Sequence, residues 1–299
     1  MFKIDLKKRS WQWITLMFLA FIWGTSFILM KKGLESYTNN QVAAFRIFFS
    51  FIILIPLIIR NLNKLSLKNI KSLLIFGYIG NVLPAFLFTK AQTQISSSLA
   101  GMLNSLTPLF TLIVGFLLYK STTKIYNIIG IFIGLLGALG LIIKENSGIF
   151  KGINSFALFV VLATFCYGIN ANLVKFKLKE LTGIGIVSLG FLFIGPFAGI
   201  YLLFSDFSQT FTTENYLINL GYIALLALFS SVIALIVFNT LIKYTSTIFA
   251  TSVTYIIPVI AILWGIFDGE TISGFQLFWI SVILLGVYLV NKNGNQQNI

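Results

Sequence analysis

The sequence predicts an all-α polytopic membrane protein with ten transmembrane helices, built from two inverted repeats of five helices each. Three observations lead to this fold class. First, the 299-residue chain is 58% hydrophobic and 10% charged, with a mean hydropathy of +0.95, whereas soluble domains carry about 25% charged residues. Second, ten apolar segments approach the roughly 20 residues that cross a bilayer. Third, features of the first half recur in the second half in the same order.

The predicted spans are separated by short polar breaks. The first half has spans near 12–31, 41–59, 70–89, 96–118 and 126–143, and the second half near 154–174, 183–204, 216–238, 246–267 and 274–291. The two repeats therefore cover 12–143 and 154–291 and form one transmembrane domain. The first apolar run has no small-residue cleavage motif after it, so it is expected to be a retained span and not a signal peptide.

The basic residues predict the orientation of the chain in the cytoplasmic membrane. With a cytoplasmic N-terminus, 15 lysines and arginines fall on inner segments and five on outer segments. Because an excess of these residues marks the cytoplasmic side, both termini are expected in the cytoplasm. Topology then accounts for most of the net charge of +13, and no nucleic-acid partner is expected.

The duplication is clearest between segments 96–115 and 246–265. At an offset of 150, Pro108 matches Pro258, and Asn104 matches Thr254. A proline inside a helix removes one backbone hydrogen bond and clashes with the carbonyl four residues earlier, which here belongs to Asn104 or Thr254. Since five spans separate the copies, the second enters the membrane from the opposite side. Paired broken helices of this kind indicate a transporter's binding site.

Polar, aromatic and helix-breaking residues within the spans are the candidates for binding a substrate. They are Trp23, Arg46, Asn81, Asn104, Pro108, Tyr167, Asn170, Thr254, Tyr255 and Pro258. A charge at the bilayer centre costs roughly 2.5–3.5 kcal/mol on insertion scales, so Arg46 is expected to face protein or water. It would contact an anion such as a substrate carboxylate, or pair structurally with helix-end carbonyls or Glu35.

The other candidates also have two interpretations. The loosened turns before the two prolines would offer backbone acceptors to a ligand, or would be kinks satisfied by neighbouring helices. Trp23 and Tyr167 would form a cavity wall, or pack in the core beside the glycines that follow them. Asn81, Asn170 and Tyr255 would line a cavity, or would join helices by hydrogen bonds.

Glycines on the fifth predicted span form a small-residue face that allows a neighbouring helix to approach closely. They are Gly130, Gly134, Gly137 and Gly140. Packing within a monomer is the expected use of this face, and a homodimer is the alternative.

Short motifs in both halves carry a family resemblance. They read FIWGTSF at 21–27, AAFR at 43–46, LTPLF at 106–110, IPV at 257–259 with GE at 269–270, and LLGV at 284–287. Through them the chain resembles the EamA family of the drug/metabolite transporter superfamily over about 13–290. The resemblance implies a basket of ten helices around a central cavity that exports small metabolites. One departure is that Lys120 stands where the second half has Glu270.

The residues that are absent narrow the function further. The chain has no histidine and one cysteine, and no acidic residue in the middle of a span. No metal site and no cofactor are therefore expected, and the usual proton relays of pumps are missing. Transport is accordingly expected to be facilitated or by exchange. The sequence also lacks a phosphate-binding loop and the common hydrolase motifs, so the protein is not expected to be an enzyme.

These observations predict a secondary transporter of small metabolites. It would export amino acids or related small amphipathic compounds by alternating access around a central cavity. Its expected partners are that small-molecule substrate and the lipid bilayer. A passive channel or facilitator is one alternative, and an integral-membrane enzyme is another.

Overall fold

The computed structural model describes residues 5–121, 124–142 and 154–291. Within these ranges the chain is helical and contains no strand. The basic residues Lys3, Lys144, Lys151 and Lys292, which entered the orientation argument, lie outside the described residues.

Ten long helical segments follow one another along the described chain, and a short 3-10 segment, Thr210–Thr212, lies between the seventh and the eighth. The ten long segments are α1 (Arg9–Leu34), α2 (Asn39–Lys64), α3 (Leu67–Ala91), α4 (Ser97–Tyr119), α5 (Ile125–Ile142), α6 (Ser155–Phe176), α7 (Gly183–Leu203), α8 (Tyr216–Tyr244), α9 (Thr247–Phe267) and α10 (Gly274–Asn291). In the described residues α1 to α9 are long and apolar enough to cross a membrane, while α10 has a shorter apolar stretch, Gly274–Leu289. The chain is therefore a multi-pass membrane protein.

Side-chain caps begin equivalent helices in the two halves. The Thr38 hydroxyl accepts a hydrogen bond from the N–H of Gln41 ahead of α2, and Thr182, 144 positions later, caps α7 in the same way. Ser96 and Ser246 cap α4 and α9, each accepting from an N–H three residues on at 3.1 Å. An N-cap oxygen satisfies one of the backbone donors that a helix start leaves unpaired. The same local device therefore recurs in both halves.

The spans with the matched prolines, Pro108 in α4 and Pro258 in α9, are both broken, as the sequence predicts. The α4 span consists of Ser97–Asn104 and Thr107–Tyr119, and the α9 span ends in the helix Ile257–Phe267 after a 3-10 segment. One detail differs from expectation. Pro108 and Pro258 each lie in the first turn of a new helix, where the missing N–H is not needed.

Two π-helical segments, Tyr78–Val82 in α3 and Leu226–Ile233 in α8, were not predicted. They overlap at the 150-residue offset, so both halves widen the helix at the equivalent place. In the first segment, Asn81 Nδ2 donates to the carbonyl of Phe76, 2.8 Å away and five residues earlier. Segments of this kind are frequent at functional sites.

Helices of one half pack against helices of the other half. The first helix of one half contacts the third and fourth spans of the other: α1 lies against α8 and α9, and α6 lies against α3 and α4. The pairs α2–α7 and α5–α10 also pack together. At Gly140 of α5 an added Cβ would lie 2.0 Å from the Trp279 ring of α10. The glycine face is thus used within the monomer, as expected.

Candidate substrate-binding cavity

A cavity of about 90 Å³ lies among eight of the ten helices. Every helix except α5 and α10 contributes lining residues, and these include the breaks of α4 and α9 and both π-helical segments. A buried water needs about 10–15 Å³ by a comparable measure, so the cavity has room for several water-sized groups. It therefore suits a compact organic molecule.

Most of the lining residues form equivalent pairs from the two halves. At an offset of 144 they are Trp23 with Tyr167, Ser26 with Asn170 and Ile47 with Phe191; at 150 they are Gly80 with Ser230, Asn81 with Ser231, Ala85 with Leu235, Phe88 with Phe238 and Asn104 with Thr254. The two halves therefore present the same positions to one cavity.

The aromatic wall of the cavity contains two equivalent pairs of contacting rings. The rings of Trp23 and Phe238 meet edge to face with centroids 5.0 Å apart, and the rings of Tyr167 and Phe88 stack with centroids 5.9 Å apart. Each pair joins the first helix of one half to the third span of the other. Such rings give a cavity a large apolar area with little rotational freedom to lose.

Arg46 brings the positive charge of the cavity. Its Nε donates to Ser231 Oγ at 2.7 Å, its Nη2 lies 3.5 Å from Ser230 Oγ, and the hydroxyl of Tyr167 interacts with the same guanidinium. In the described part of the chain no carboxylate forms an ion pair with it. The alternative pairing with Glu35 is wrong, because Glu35 Oε1 contacts Lys32 Nζ at 2.8 Å.

Two buried amide oxygens add acceptors to the cavity. Neither Asn104 Oδ1 nor Asn170 Oδ1 has a hydrogen-bond partner among the described residues. The Asn170 side chain lies directly over Gly80, where an added Cβ would come within 2.3 Å of Cγ. The backbone carbonyl of Asn104 is occupied, since it accepts from Thr107 Oγ1 at 2.8 Å. At this break, side-chain oxygen is therefore the available acceptor, and not the backbone carbonyl that the sequence suggested.

The structure brings seven of the ten candidate residues to the cavity: Trp23, Arg46, Asn81, Asn104, Tyr167, Asn170 and Thr254. The other three do not line it. Pro108 and Pro258 begin helices behind the breaks, and the hydroxyl of Tyr255 donates to the carbonyl of Val287 in α10 at 3.3 Å.

Sequence reasoning missed Ser230 and Ser231, and also Phe27 and Phe191, as lining residues. The serines could have been found from the repeat, because Ser231 is the counterpart of Asn81 at the 150-residue offset.

A charged cluster joins the halves at the C-terminal ends of α1 and α9. Lys31 Nζ lies 2.7 Å from Asp268 Oδ2 and 2.9 Å from Glu270 Oε1, and Glu270 also accepts from the backbone N–H groups of Ser97 and Ser98. Burial favours protonation of Glu270, but the hydrogen bonds from Ser98 and Lys31 outweigh it and lower its pKa below the ordinary value of 4.5. The carboxylate is therefore held charged at the start of α4.

The equivalent positions, Lys175 and Lys120, form no matching charged cluster among the described residues. Lys175, the counterpart of Lys31, donates to the carbonyls of Ile242 and Thr245 at 3.1 and 2.6 Å. Lys120, which replaces the expected second glutamate, is exposed and has a left-handed backbone with φ of 52°. The interactions at the equivalent positions Lys31 and Lys175 therefore differ in chemistry.

The chain is similar to known membrane transporters. The model of the EamA-like transporter family matches residues 11–143 and 154–292. An uncharacterized inner membrane transporter of Escherichia coli strain K12, YedA, is 27% identical over 279 residues, covering 91% of this chain and 88% of that protein. An uncharacterized transporter of Archaeoglobus fulgidus is 23% identical over 280 residues, covering 93% and 98%.

Two further comparisons are a shorter sequence match and a solved structure. The uncharacterized transporter YdfC of Bacillus subtilis is 28% identical over 145 residues, which is 48% of this chain and 47% of YdfC. A solved structure described only as "Crystal structure of protein" covers 98% of this chain and 100% of its own, with a TM-score of 0.67 and 13% identity. At that identity the likeness shows a shared fold alone.

Proposed function

This chain belongs to the EamA-like transporter family, and from that premise we propose that it is a secondary transporter exporting amino acids or related small amphipathic compounds across the cytoplasmic membrane. That the protein is a multi-pass membrane transporter follows from the family and the apolar helices. The substrate class, the direction and the mechanism are the proposal.

The observation that carries the substrate class is the unbalanced charge of Arg46 inside the cavity. A charge held away from water is costly unless it is paired. A substrate carboxylate would supply the pair, and its two oxygens fit the planar fork of a guanidinium. The buried oxygens of Asn104 and Asn170 would accept hydrogen bonds from an ammonium group, and the aromatic wall would hold the apolar part.

Alternating access is supported by the equivalence of the two halves around one cavity. We take residues 12–143 and 154–291 as inverted five-helix repeats, with ten spans and both termini in the cytoplasm. The exchanged aromatic contacts, Trp23 with Phe238 and Tyr167 with Phe88, are what two-fold related repeats would make. In this proposal the Lys31–Glu270 cluster closes the outer end in one state and opens in the other.

Transport without a dedicated proton relay fits the chemistry of the cavity. Among the described lining residues there is no carboxylate, and the chain has no histidine. Those groups are the usual proton carriers in membrane transporters. We therefore propose facilitated transport or exchange, driven by the substrate gradients.

A metabolite-efflux profile tests the substrate class. Cells with and without the protein are compared for amino acids and related compounds in the medium, and purified protein in liposomes is then assayed for counterflow. A carrier should take up labelled substrate faster when unlabelled substrate is inside, whereas a channel should not. Export of no amino acid or related compound, or uptake insensitive to internal substrate, would contradict the proposal.

A further inference from the structure

We infer that Ser231 is a positioning residue, which fixes the guanidinium of Arg46 so that its two Nη groups receive the substrate carboxylate. The inference rests on the proposed function and assigns a role to a side chain that the sequence reasoning did not select. It concerns recognition of the carboxyl group and not the movement of the helices.

The contact between the two residues is short and buried. Arg46 Nε donates to Ser231 Oγ at 2.7 Å, and Ser231 is 3% exposed. A guanidinium has five N–H donors, of which one is on Nε and four are on the Nη atoms. With Nε engaged, the Nη groups remain to meet a carboxylate, which would share the guanidinium with the Tyr167 hydroxyl. Ser231 therefore selects one of the two bidentate arrangements that arginine offers.

The neighbouring Ser230 makes a longer contact with Arg46 and a separate one with Trp23. Ser230 Oγ lies 3.5 Å from Arg46 Nη2, at the limit of a hydrogen bond, while the Ser230 carbonyl accepts from Trp23 Nε1 at 3.2 Å. Replacing its side chain leaves that carbonyl in place. Because Ser230 also lines the cavity, Ser188 of α7 is the matched control: it is buried, its hydroxyl donates to the carbonyl of Gly185 in its own helix at 3.4 Å, and it does not line the cavity.

The π-helical segment Leu226–Ile233 explains how two successive serines can face the same cavity. A wider turn changes which side chains share a face of the helix. In the first half the equivalent residue, Asn81, donates instead to the carbonyl of Phe76 in its own helix. The counterpart of Arg46 at the 144-residue offset is Gly190. The contact between Arg46 of the first half and Ser231 of the second half therefore has no equivalent, and the cavity is asymmetric.

Losing the Ser231 hydroxyl should weaken binding of the carboxylate more than it slows turnover. The arginine side chain is long, and without its anchor it samples orientations that do not present the Nη pair. A hydrogen bond to a side chain contributes a few-fold to tenfold in affinity. Because the hydroxyl touches Arg46 and not the gates, the effect should fall on KM.

The test uses purified full-length protein in liposomes. The probe is whichever of the twenty standard L-amino acids gives wild-type protein the largest counterflow, with its carboxamide as competitor. We expect Ser231→Ala to raise KM about three- to tenfold with Vmax within about twofold, and to narrow the preference for acid over amide. Ser231→Thr should restore both values, and Ser188→Ala should stay within about twofold of wild type.

The outcomes separate the inference from the proposed function. If wild-type protein shows no amino-acid counterflow, the proposed function fails. If wild type transports and Arg46→Ala abolishes the acid preference, but Ser231→Ala keeps its KM and preference, the inference alone is overturned. Equal losses in Ser188→Ala and Ser231→Ala would also overturn it. Should Ser231→Ala fold poorly in detergent, Ser231→Cys keeps the size with a weaker acceptor and should give an intermediate KM.

Discussion

The Glu270 carboxylate, three residues beyond the end of α9, caps the first turn of α4 through Ser98. Glu270 Oε2 accepts from the Ser98 hydroxyl at 2.6 Å and from the Ser98 N–H at 3.0 Å, while Oε1 faces Lys31. A negative charge at a helix start is favourable because the first N–H groups lack partners inside the helix. One side chain from the second half therefore ties together two helices of the first.

Removing the charge of Glu270 should destabilise the protein. Its side chain is 7% exposed, and hydrogen bonds to charged groups contribute about 1.5–3 kcal/mol. We expect Glu270→Gln to lose about 1–3 kcal/mol, measured as thermal or denaturant unfolding in detergent. Glu35→Gln is the control, since Glu35 is 50% exposed and such surface pairs contribute about 0–1 kcal/mol. An equal effect of both substitutions would contradict the role of the buried contact.

The same contact predicts a pH dependence. The pKa of Glu270 is lower in the folded protein than its ordinary value of 4.5, so the folded state binds this proton less readily than the unfolded state. The stabilisation is therefore present above pH 4.5 and is lost as pH falls through the folded-state pKa. We expect the stability difference between wild type and Glu270→Gln to narrow below pH 4.5. A difference that stays constant down to pH 3 would contradict this account.

Arg46 should be needed for recognition of the carboxyl group. Arg46→Ala removes a charged donor, and a loss of about 1.5–3 kcal/mol corresponds to a decrease of at least about tenfold in kcat/KM of transport. Arg46→Lys keeps the charge but not the planar fork, so it should recover activity only partly. Arg60→Ala is the control. Arg60 lies at the exposed end of α2, so this variant should transport normally. Unchanged transport in Arg46→Ala would make the arginine structural.

Gly80 should be needed for the fit of Asn170. An added Cβ would lie 2.3 Å from Asn170 Cγ, so Gly80→Ala has to displace the amide from the cavity, at a cost of about 1–3 kcal/mol. We expect reduced stability and weaker substrate binding. Gly221→Ala in α8 is the control, because its added Cβ has no neighbour within 4 Å. Transport kinetics and unfolding measured side by side check both variants.

The sequence predicted the fold of this protein more completely than its candidate site. Hydropathy located the helices, because each span must be apolar, and the repeat found the breaks at Pro108 and Pro258. The π-helical segments were not predicted, because no residue pattern in 78–82 or 226–233 distinguishes a wider helix from an ordinary one. Ser231 could have been found from the repeat, as the counterpart of Asn81. Tyr255 does not line the cavity, because its hydroxyl is bonded to α10. The Lys31–Glu270 contact was also hidden, because it joins residues 239 positions apart.

The clearest measurement of alternating access is a reversible cross-link across the charged cluster. Cys166 is the chain's single cysteine, so Cys166→Ser gives a background for Lys31→Cys with Glu270→Cys, joined by a short thiol-reactive linker that reduction cleaves. As a control, Lys32→Cys with Glu35→Cys carries the same linker without bridging the halves. We expect cross-linking of the first pair to stop counterflow, reduction to restore it, and the control to keep transporting. Full counterflow with positions 31 and 270 joined would contradict the account.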